Sequence, residues 1–332
     1  MSCYHPYIAV PDGVWPSGKA KYKLRRSDFS PDIQLELDKN EGAILVPCGN
    51  CIGCRLDYSR QWANRLMMEL QYHDSAYFCT LTYDDDHVPK SEYVDSETGE
   101  VCTSLTLRKR DFQLFMKRLR RAFPNDKIRF FACGEYGSDT FRPHYHAIIF
   151  GLHLSDLTIY KRSPQGFVYY NSDSFSDCWS VPRSDPADRL GFAVVADVDW
   201  NTCAYTARYV SKKLFGKMKQ FYEDHGLEEP FSLMSRKPGL AYQYYLDHQD
   251  GMLNDHFVIK HGREIKAPRY FSKLFEVDNP EESAIVKENR KRVGEAYQRL
   301  QLERTDLSLS YYLQVKEQAK LNQIKALRRN QV

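Results

Sequence analysis

The sequence predicts an α+β protein, because segments with strand patterns and segments with helix patterns alternate along one chain. Residues 128–135 and the apolar run at 147–150 have strand character, and turn-forming residues at 137–139 join them into a β-hairpin. Residues 107–123 carry apolar side chains three and four positions apart, which indicates an amphipathic helix. At 332 residues the chain can form one large domain or a core domain with appendages.

The predicted N-terminal part covers residues 1–75. Residues 1–46 contain turn-forming Pro and Gly and little periodicity, so we expect irregular structure with one short strand near residues 43–46. A helix is expected over residues 59–73, because four apolar side chains recur on one face. These side chains are Trp62, Leu66, Met67 and Leu70.

The predicted core covers residues 76–220. Residues 77–83 are aromatic and β-branched and predict a strand, whereas residues 92–102 are expected to form a loop. Thr106 is the expected N-cap of the helix at 107–123.

The remaining segments carry weaker patterns. Residues 152–190 are polar and rich in Pro, and we interpret them as an irregular insertion. Alternation at 191–198 predicts another strand, followed by a helix to about residue 215. An accessory region is expected at 221–278 and a basic helical tail at 279–332.

The predicted hairpin brings three metal-binding side chains together. His144 and His146 are two residues apart at the start of a strand, so both imidazoles face one side. A hairpin centred near Asp139 or Thr140 places Glu135 across from the histidines or diagonal to them. Lone histidines on strands are more often structural, but two imidazoles and a carboxylate suit one divalent ion, Mg²⁺ or Mn²⁺.

A cysteine cluster indicates a second metal site. Cys48, Cys51 and Cys54 are separated by two residues each, and the intervening glycines allow tight turns that bring thiolates together. Structural Zn²⁺ needs a fourth ligand, for which we favour Cys3 and then His5.

Other interpretations of this cluster fit less well. A four-iron cluster would call for cysteine at position 58, which is Tyr58, and none of the ten histidines forms the His-x-Glu of a zinc deaminase. Reduced structural cysteines remain the alternative to zinc.

Cysteine usage and hydropathy indicate the compartment. The nine cysteines are odd in number, and we find neither a secretory signal nor an apolar run of membrane-spanning length. We therefore expect a reducing cytoplasm, free or metal-bound thiols, and no membrane association.

Positive charge is concentrated in strips, although the net charge is only +3. Residues 108–121 hold seven basic residues and one acid, and residues 287–329 hold eleven basic residues and five acids. Such strips attract phosphate, although a solvated helix face is the alternative. The candidate nucleic-acid contacts are Arg108, Lys117, Arg118, Arg121, Arg142, Arg236 and Lys237.

The helix after residue 202 carries a third chemical feature. Tyr205, Tyr209 and Lys212 follow at spacings of four and three, which places them on one helical face. Tyrosine stripes are more often packing surfaces than catalytic groups. The predicted metal site nearby in the core favours a catalytic interpretation.

The ordered set of motifs resembles the HUH superfamily of single-strand DNA nickases, and within it the replication initiators of gokushovirus-type Microviridae bacteriophages. The resemblance covers about residues 1–275. The motifs that carry it are PCGNCIGCR (47–55), TLTYDD (80–85), FMKRLR (115–120), GEYG with RPHYH (134–146), YTARYVSKK (205–213) and FSLMSRKPG (231–239).

The resemblance implies a palm-like fold with an antiparallel sheet, the two histidines on a central strand, and helices packed on the sheet. It implies that Glu135, His144 and His146 are the metal ligands. It also implies that Tyr209 with Lys212 forms the Tyr-x-x-Lys motif and that Tyr205 is the additional tyrosine of two-tyrosine members. The implied activity is nicking of a single-stranded origin through a 5′-phosphotyrosine link.

The implied partners are the phage replication origin, a host helicase and a host DNA polymerase, in the bacterial host cytoplasm. Two alternatives stay open. One is an HUH transposase or plasmid initiator, and the other is a non-catalytic zinc protein that binds or packages single-stranded DNA.

Overall fold

The computed structural model describes residues 3–18, 20–27, 32–137, 140–163, 166–182, 186–210, 217–254, 257–259 and 262–329. In chain order its elements are β1 Tyr7–Val14, β2 Ala20–Arg26, α1 Ile33–Lys39, β3 Ile44–Val46, α2 Ile52–Leu70, β4 Ala76–Thr82, β5 Lys90–Val94, β6 Val101–Leu105, α3 Lys109–Ala122, β7 Arg129–Tyr136, β8 Pro143–Phe150, β9 Thr158–Arg162, β10 Val168–Asn171, α4 Asp173–Ser176, β11 Ala193–Asp197, α5 Trp200–Val210, α6 Lys217–Asp224, β12 Phe231–Met234, α7 Tyr242–Asp247, α8 Gly251–Asn254, β13 Phe257–Ile259, β14 Arg263–Ile265, α9 Arg269–Asp278, α10 Pro280–Leu302 and α11 Leu309–Arg329. No helix in the described part of the chain combines the length and the apolar character needed to cross a membrane.

The chain divides into two compact units. The terminal unit contains residues 1–58 and 272–332, and the central unit contains residues 59–271. In the terminal unit, β1 lies between β2 and β3 in a three-stranded sheet. Ile8 of β1 packs with Ile33 of α1 and Leu309 of α11, so segments from both ends of the chain share this small apolar core.

The central unit is organised by a seven-stranded antiparallel sheet. Its strand order is β12-β7-β8-β4-β11-β10-β9, so β8 is an interior strand between β7 and β4. The α+β class and the large antiparallel sheet expected from the sequence are therefore confirmed.

One face of this sheet is covered by α3 and α4. Phe112, Phe115, Met116 and Leu119 of α3 are fully or almost fully buried, as the apolar spacing predicted. They pack in one cluster with alternate residues of the sheet, including Tyr145, Ala147 and Ile149 of β8. Because side chains of a strand alternate, His144 and His146 face the other side.

The other face is covered in part by α2 and α5. The rings of Trp62 in α2 and Phe131 in β7 have centroids 4.9 Å apart, and the rings of His73 and Phe150 have centroids 5.3 Å apart. Helix α5 packs against β7, β8 and β12. The two faces therefore differ, because one is closed by α3 and the other carries the histidines.

Several expectations were wrong in segments where local periodicity is weak. The N-terminal residues form β1, β2 and α1 in addition to the expected strand at β3. Residues 90–105 form the hairpin β5–β6 rather than a loop, and the segment 152–190 contributes β9, β10 and α4. These strands gain their backbone hydrogen bonds from distant partners, which a local pattern does not reveal.

The N-cap expected for α3 was also wrong. The helix begins after Arg108, and the side-chain oxygen of Thr106 instead accepts a hydrogen bond from the backbone N–H of Glu228 at 2.9 Å. Glu228 in turn accepts from the backbone N–H of Lys109 at 2.8 Å, so a residue far along the chain satisfies the first turn of the helix.

A buried carboxylate ties α2 to two other parts of the central unit. Glu69, only 4% exposed, accepts hydrogen bonds from His73, from Arg129 of β7 and from the backbone N–H of Ala241. Burial alone would raise the pKa of Glu69, but these hydrogen bonds and the charge of Arg129 outweigh it, so that the pKa is lowered.

Replacing Glu69 with Gln should destabilise the protein by roughly 2–4 kcal/mol at pH 7, because Arg129 loses a buried partner. A carboxyl whose folded pKa is lowered stabilises the fold above the unfolded pKa of about 4.3, and this contribution disappears as the pH falls through the folded pKa. Urea unfolding at pH 7 and below pH 4 should therefore show the difference between wild type and variant shrinking in acid.

The exposed Glu97 is the matched control, and Glu97→Gln should leave stability within about 0.5 kcal/mol of wild type. A difference between wild type and Glu69→Gln that stays constant with pH would contradict the role of the Glu69 carboxylate.

Candidate functional site

The register of β7 against β8 sets the geometry of the site. Glu135 pairs directly with His144, and Cys133 pairs with His146. Directly opposed residues in an antiparallel pair share a face, so Glu135 lies on the same face as both histidines. The midpoint of this register falls between positions 139 and 140, as the sequence predicted, although residues 138 and 139 lie outside the described residues.

The three side chains converge on a small volume. The Nε2 atom of His144 lies 2.9 Å from Oε1 of Glu135, and the Nε2 atom of His146 lies 3.4 Å from the same oxygen. All three potential ligand atoms are within 4.8 Å of one another. Glu135 and His146 are 3% and 5% exposed, so a buried carboxylate faces two nitrogens that can coordinate a cation.

The far side of each imidazole is held by a second group. Nδ1 of His144 donates to the backbone carbonyl of Arg142 at 3.1 Å, which leaves the lone pair on Nε2, the atom that faces Glu135. Nδ1 of His146 lies 3.0 Å from Oγ1 of Thr80 on the neighbouring strand β4. Outer contacts of this kind fix ring orientation in metal sites, so the donor set and its surroundings fit a divalent metal ion.

Aromatic rings complete the wall around His146. Phe78 of β4 stacks on the His146 ring with centroids 5.6 Å apart, and Tyr205 meets the same ring edge-on at 5.1 Å. Thr80 and Phe78 were not singled out as site residues from the sequence. Alternation along the predicted strand puts them on one face, but only the pairing of β4 with β8 brings that face to the histidines.

Tyr205 is at the edge of this group. Its hydroxyl lies 3.5 Å from Nε2 of His146, and the side chain is 39% exposed. Tyr205 therefore adjoins the buried metal-binding group and is also accessible from outside. Tyr209 lies in the same helix, but its side chain is outside the described residues, as is Lys212.

Helix α5 is held in place by its first turn and by its buried face. Asp199 accepts from the backbone N–H of Thr202 at 2.7 Å, which confirms the capping groups expected there. Cys203, Thr206 and Ala207 are fully buried, and the thiol of Cys133 donates to the carbonyl of Thr206. Since Cys133 pairs with His146, this contact sets the helix beside the histidines.

The four cysteines predicted to bind zinc form a second group, within the terminal unit. The Sγ atoms of Cys3 and Cys51 are 3.9 Å apart, and those of Cys48 and Cys54 are 4.0 Å apart. A tetrahedral ion about 2.3 Å from each sulfur requires sulfur separations of about 3.8 Å. The geometry therefore fits a four-thiolate metal site.

Backbone groups support negative charge on these sulfurs. The N–H of Cys48 donates to Cys3, that of Cys51 to Cys48, and that of Tyr4 to Cys51, at 3.2 to 3.3 Å. The hydrogen bond with Cys3 is the main cause that lowers the pKa of the Cys51 thiol. Cys3 rather than His5 completes the group, since Nε2 of His5 lies 2.6 Å from Glu317.

The candidate DNA-contacting residues do not all lie near the histidines. Arg108, Lys117 and Arg121 are exposed at the start and along the outside of α3, on the sheet face without the histidines. Arg118 donates through Nε to the carbonyl of Cys178 at 2.7 Å, and burial lowers its pKa. Part of that guanidinium therefore stabilises the fold.

Arg142 lies closer to the histidines than the residues of α3. It precedes β8 by one residue and donates to the carbonyl of Tyr83 at 2.9 Å and to Asp85 at 2.6 Å. Arg236 and Lys237 are exposed after β12, and Arg236 forms an isolated β-bridge with Gly239.

The fold and the site define a class of protein: an α+β chain whose interior strand presents a Glu/His/His group beside a half-exposed tyrosine. Residues 76–214 match a family of phage replication-associated proteins described by its member ORF2, and this range includes every member of that group and the tyrosine helix. No solved structure matches the chain at a significant level.

Individual relatives agree with the family match. The chain is 29% identical to replication-associated protein ORF2 of Spiroplasma virus 4, over 91% of each chain. It is 28% identical to replication-associated protein VP4 of Bdellovibrio phage phiMH2K over 80% of this chain and 79% of that protein. It is 26% identical to replication-associated protein ORF4 of Chlamydia phage 1 over 69% of this chain and 53% of that protein.

The resemblance to phage replication proteins inferred from the motifs is therefore confirmed. The chain belongs to the replication-associated proteins of Microviridae phages.

Replacing Glu135 with Gln should abolish divalent metal binding at the histidines without unfolding the protein. The amide keeps the size and a hydrogen-bonding oxygen but removes the charge that offsets a cation. Wild-type protein should gain several degrees in Tm when Mn²⁺ is added at about a hundred times its Kd, because a ligand that binds only the folded state stabilises it by about 2.7 kcal/mol.

Calorimetry with and without Mn²⁺ tests this expectation. The matched control is Glu92→Gln on β5, outside the group, which should keep the full shift. An equal metal-dependent rise in Tm for Glu135→Gln and wild type would contradict the assignment of Glu135 as a ligand.

Proposed function

We propose that this protein is a rolling-circle replication initiator that nicks and rejoins single-stranded phage DNA through a tyrosine. The observation that carries the proposal is the position of the Tyr205 hydroxyl, 3.5 Å from Nε2 of His146 within the Glu/His/His group. The replication-associated names of the relatives and the order of the HUH-like motifs support the same conclusion.

The Glu135, His144 and His146 side chains would hold Mn²⁺ or Mg²⁺, with the two imidazoles favouring Mn²⁺. The bound cation would polarise the scissile phosphate as a Lewis acid. The protein contributes a fixed donor set, because Thr80 and the Arg142 carbonyl orient the two rings before any substrate arrives.

The tyrosine supplies the nucleophile. Its hydroxyl oxygen forms a bond to phosphorus as the bond between phosphorus and the 3′ oxygen breaks. The phenol loses one proton and the departing 3′ oxygen gains one, which yields a 5′-phosphotyrosine link and a free 3′-OH. The link conserves the phosphodiester, so attack by a 3′-OH reverses it and closes a circle.

A second tyrosine would allow repeated turnover. Tyr209 is four residues after Tyr205 in α5, and this spacing puts both positions on one side of a helix. One tyrosine holds the DNA while the other cleaves the next copy of the origin. Lys212 would stabilise the phenolate or the charge that develops on the phosphate.

The remaining parts of the proposal concern zinc and partners. Cys3, Cys48, Cys51 and Cys54 would hold one structural Zn²⁺ that stabilises the terminal unit. The free 3′-OH would be extended by a host DNA polymerase with a host helicase, in the bacterial cytoplasm. Contacts of the exposed basic residues with phosphates would make DNA binding depend steeply on salt.

The double variant Tyr205→Phe/Tyr209→Phe should lose covalent attachment to DNA by more than about a hundredfold, because no hydroxyl remains to attack. Each single variant should retain part of the activity. The measurement is a denaturing gel of protein incubated with single-stranded genome DNA and Mn²⁺, in which the adduct migrates as a shifted band.

Two further variants complete this experiment. His146→Ala should lose the adduct, whereas Tyr160→Phe, which alters an exposed tyrosine of β9, should keep it. A double tyrosine variant that forms as much adduct as wild type would refute the nucleophile. Tight binding with no adduct from any protein would favour the DNA-binding or packaging alternative.

Purified protein should contain about one zinc per chain, and Cys54→Ser should lose it together with stability. Elemental analysis under reducing conditions and thermal unfolding measure the two effects. Cys102→Ser, at a half-buried cysteine of β6 outside the group, should keep zinc. Wild-type protein without zinc would leave the four residues as reduced structural cysteines.

A further inference from the structure

One row of residues crosses the sheet from the metal-binding group to an exposed aromatic ring. Glu135 pairs with His144, and His144 pairs with Thr82 on β4. The backbone N–H of Thr82 donates to the carbonyl of Phe192 at 2.9 Å, which continues the pairing one residue beyond β11. Adjacent strands are about 4.8 Å apart, so the Phe192 backbone lies roughly 10 Å from that of His144.

Phe192 points to the face that carries the histidines. The next residue, Ala193, is 5% exposed and packs in the core below the sheet, and strand alternation directs Phe192 to the opposite side. The Phe192 side chain is 73% exposed. Its ring has no aromatic partner within the described part of the chain.

The backbone that carries Phe192 is tightly fixed. Gly191 has a φ of +149°, and a Cβ there would collide with the carbonyl oxygen of Thr82 and the backbone nitrogen of Asp84. Gly191 thus lets the chain approach β4 closely enough for Phe192 to join the row. A large apolar side chain is held in water at a defined distance from the site.

The surroundings of Phe192 favour a nucleic-acid base as its partner. Its neighbours across the sheet on that face are the hydroxyl-bearing Thr82 and Thr80, so the ring is isolated rather than part of a large apolar patch. The guanidinium of Arg142, one-third exposed, lies at the start of β8, two residues before His144. A flat ring beside hydroxyls and a cation suits a stacked base with its phosphate.

We propose that Phe192 is a stacking platform for one base of the single-stranded DNA bound at the Glu135/His144/His146 group, a few nucleotides from the scissile phosphate. The inference rests on the proposed function for the identity of the strand. Phe192 is a positioning residue, because it holds the DNA in register without touching the reacting atoms.

The test measures binding of fluorescent single-stranded origin oligonucleotides without added Mn²⁺ or Mg²⁺, so that it does not depend on cleavage. Phe192→Ala should weaken binding by about 5- to 100-fold, the range found for loss of one base–aromatic stack. Phe192→Trp should bind about as well as wild type. Tyr311→Ala, which removes a similarly exposed ring from α11, should also bind normally.

Oligonucleotides with one abasic position identify the partner base. Wild-type protein should lose affinity at one position near the cleavage site, and Phe192→Ala should show no further loss there, because the same contact is already absent. Thermal unfolding confirms that each variant is folded.

The outcomes separate this inference from the proposed function. Coupling between Phe192 and one base, with no nicking by any protein, supports the platform and contradicts the nickase. Nicking without coupling, or unchanged binding by Phe192→Ala, overturns the platform and leaves the nickase intact. Failure of wild-type protein to bind single-stranded DNA overturns the platform as well.

Discussion

The pairing of Glu135 with His144 across β7 and β8 is the constraint on which the site depends. A slip of one residue would turn Glu135 into the apolar cluster under α3 and leave two imidazoles without their carboxylate. Burial of alternate residues on β8, such as Tyr145 and Ala147, opposes that slip. The energy that fixes the register of the site therefore comes from the apolar face, which carries none of the chemistry.

The hairpin and the amphipathic helix α3 could be predicted because each is specified by local pattern. Turn residues between two apolar runs set the register, and spacings of three and four set the buried face of α3. Thr80 and Phe192 could not be predicted as site residues, because their role depends on β8 and β11 both pairing with β4. The sequence contains no local signal for which strands become neighbours.

The cysteine group shows the same division between local and long-range information. The spacing of Cys48, Cys51 and Cys54 predicts a metal knuckle, and the structure brings the favoured fourth ligand, Cys3, to the other three. The folding of the N-terminal residues into β1 and β2 was not predicted, because their alternation is interrupted by Pro and Gly. Their partners include α11, about three hundred residues away, and an apolar core built from both chain ends has no local signature.

The site combines burial with access in a way that suits attack on DNA. A carboxylate and an imidazole that are almost fully buried keep their geometry in the absence of substrate, because water and side-chain motion are excluded there. A nucleophile must instead be reachable by a polymer that cannot enter the core. Tyr205 meets both conditions, since its ring touches His146 and more than a third of its side chain is exposed. Phe192 extends the same argument along the sheet: its exposed ring gives a flexible strand something to hold outside the buried group, and the shared row of residues fixes the distance between the two.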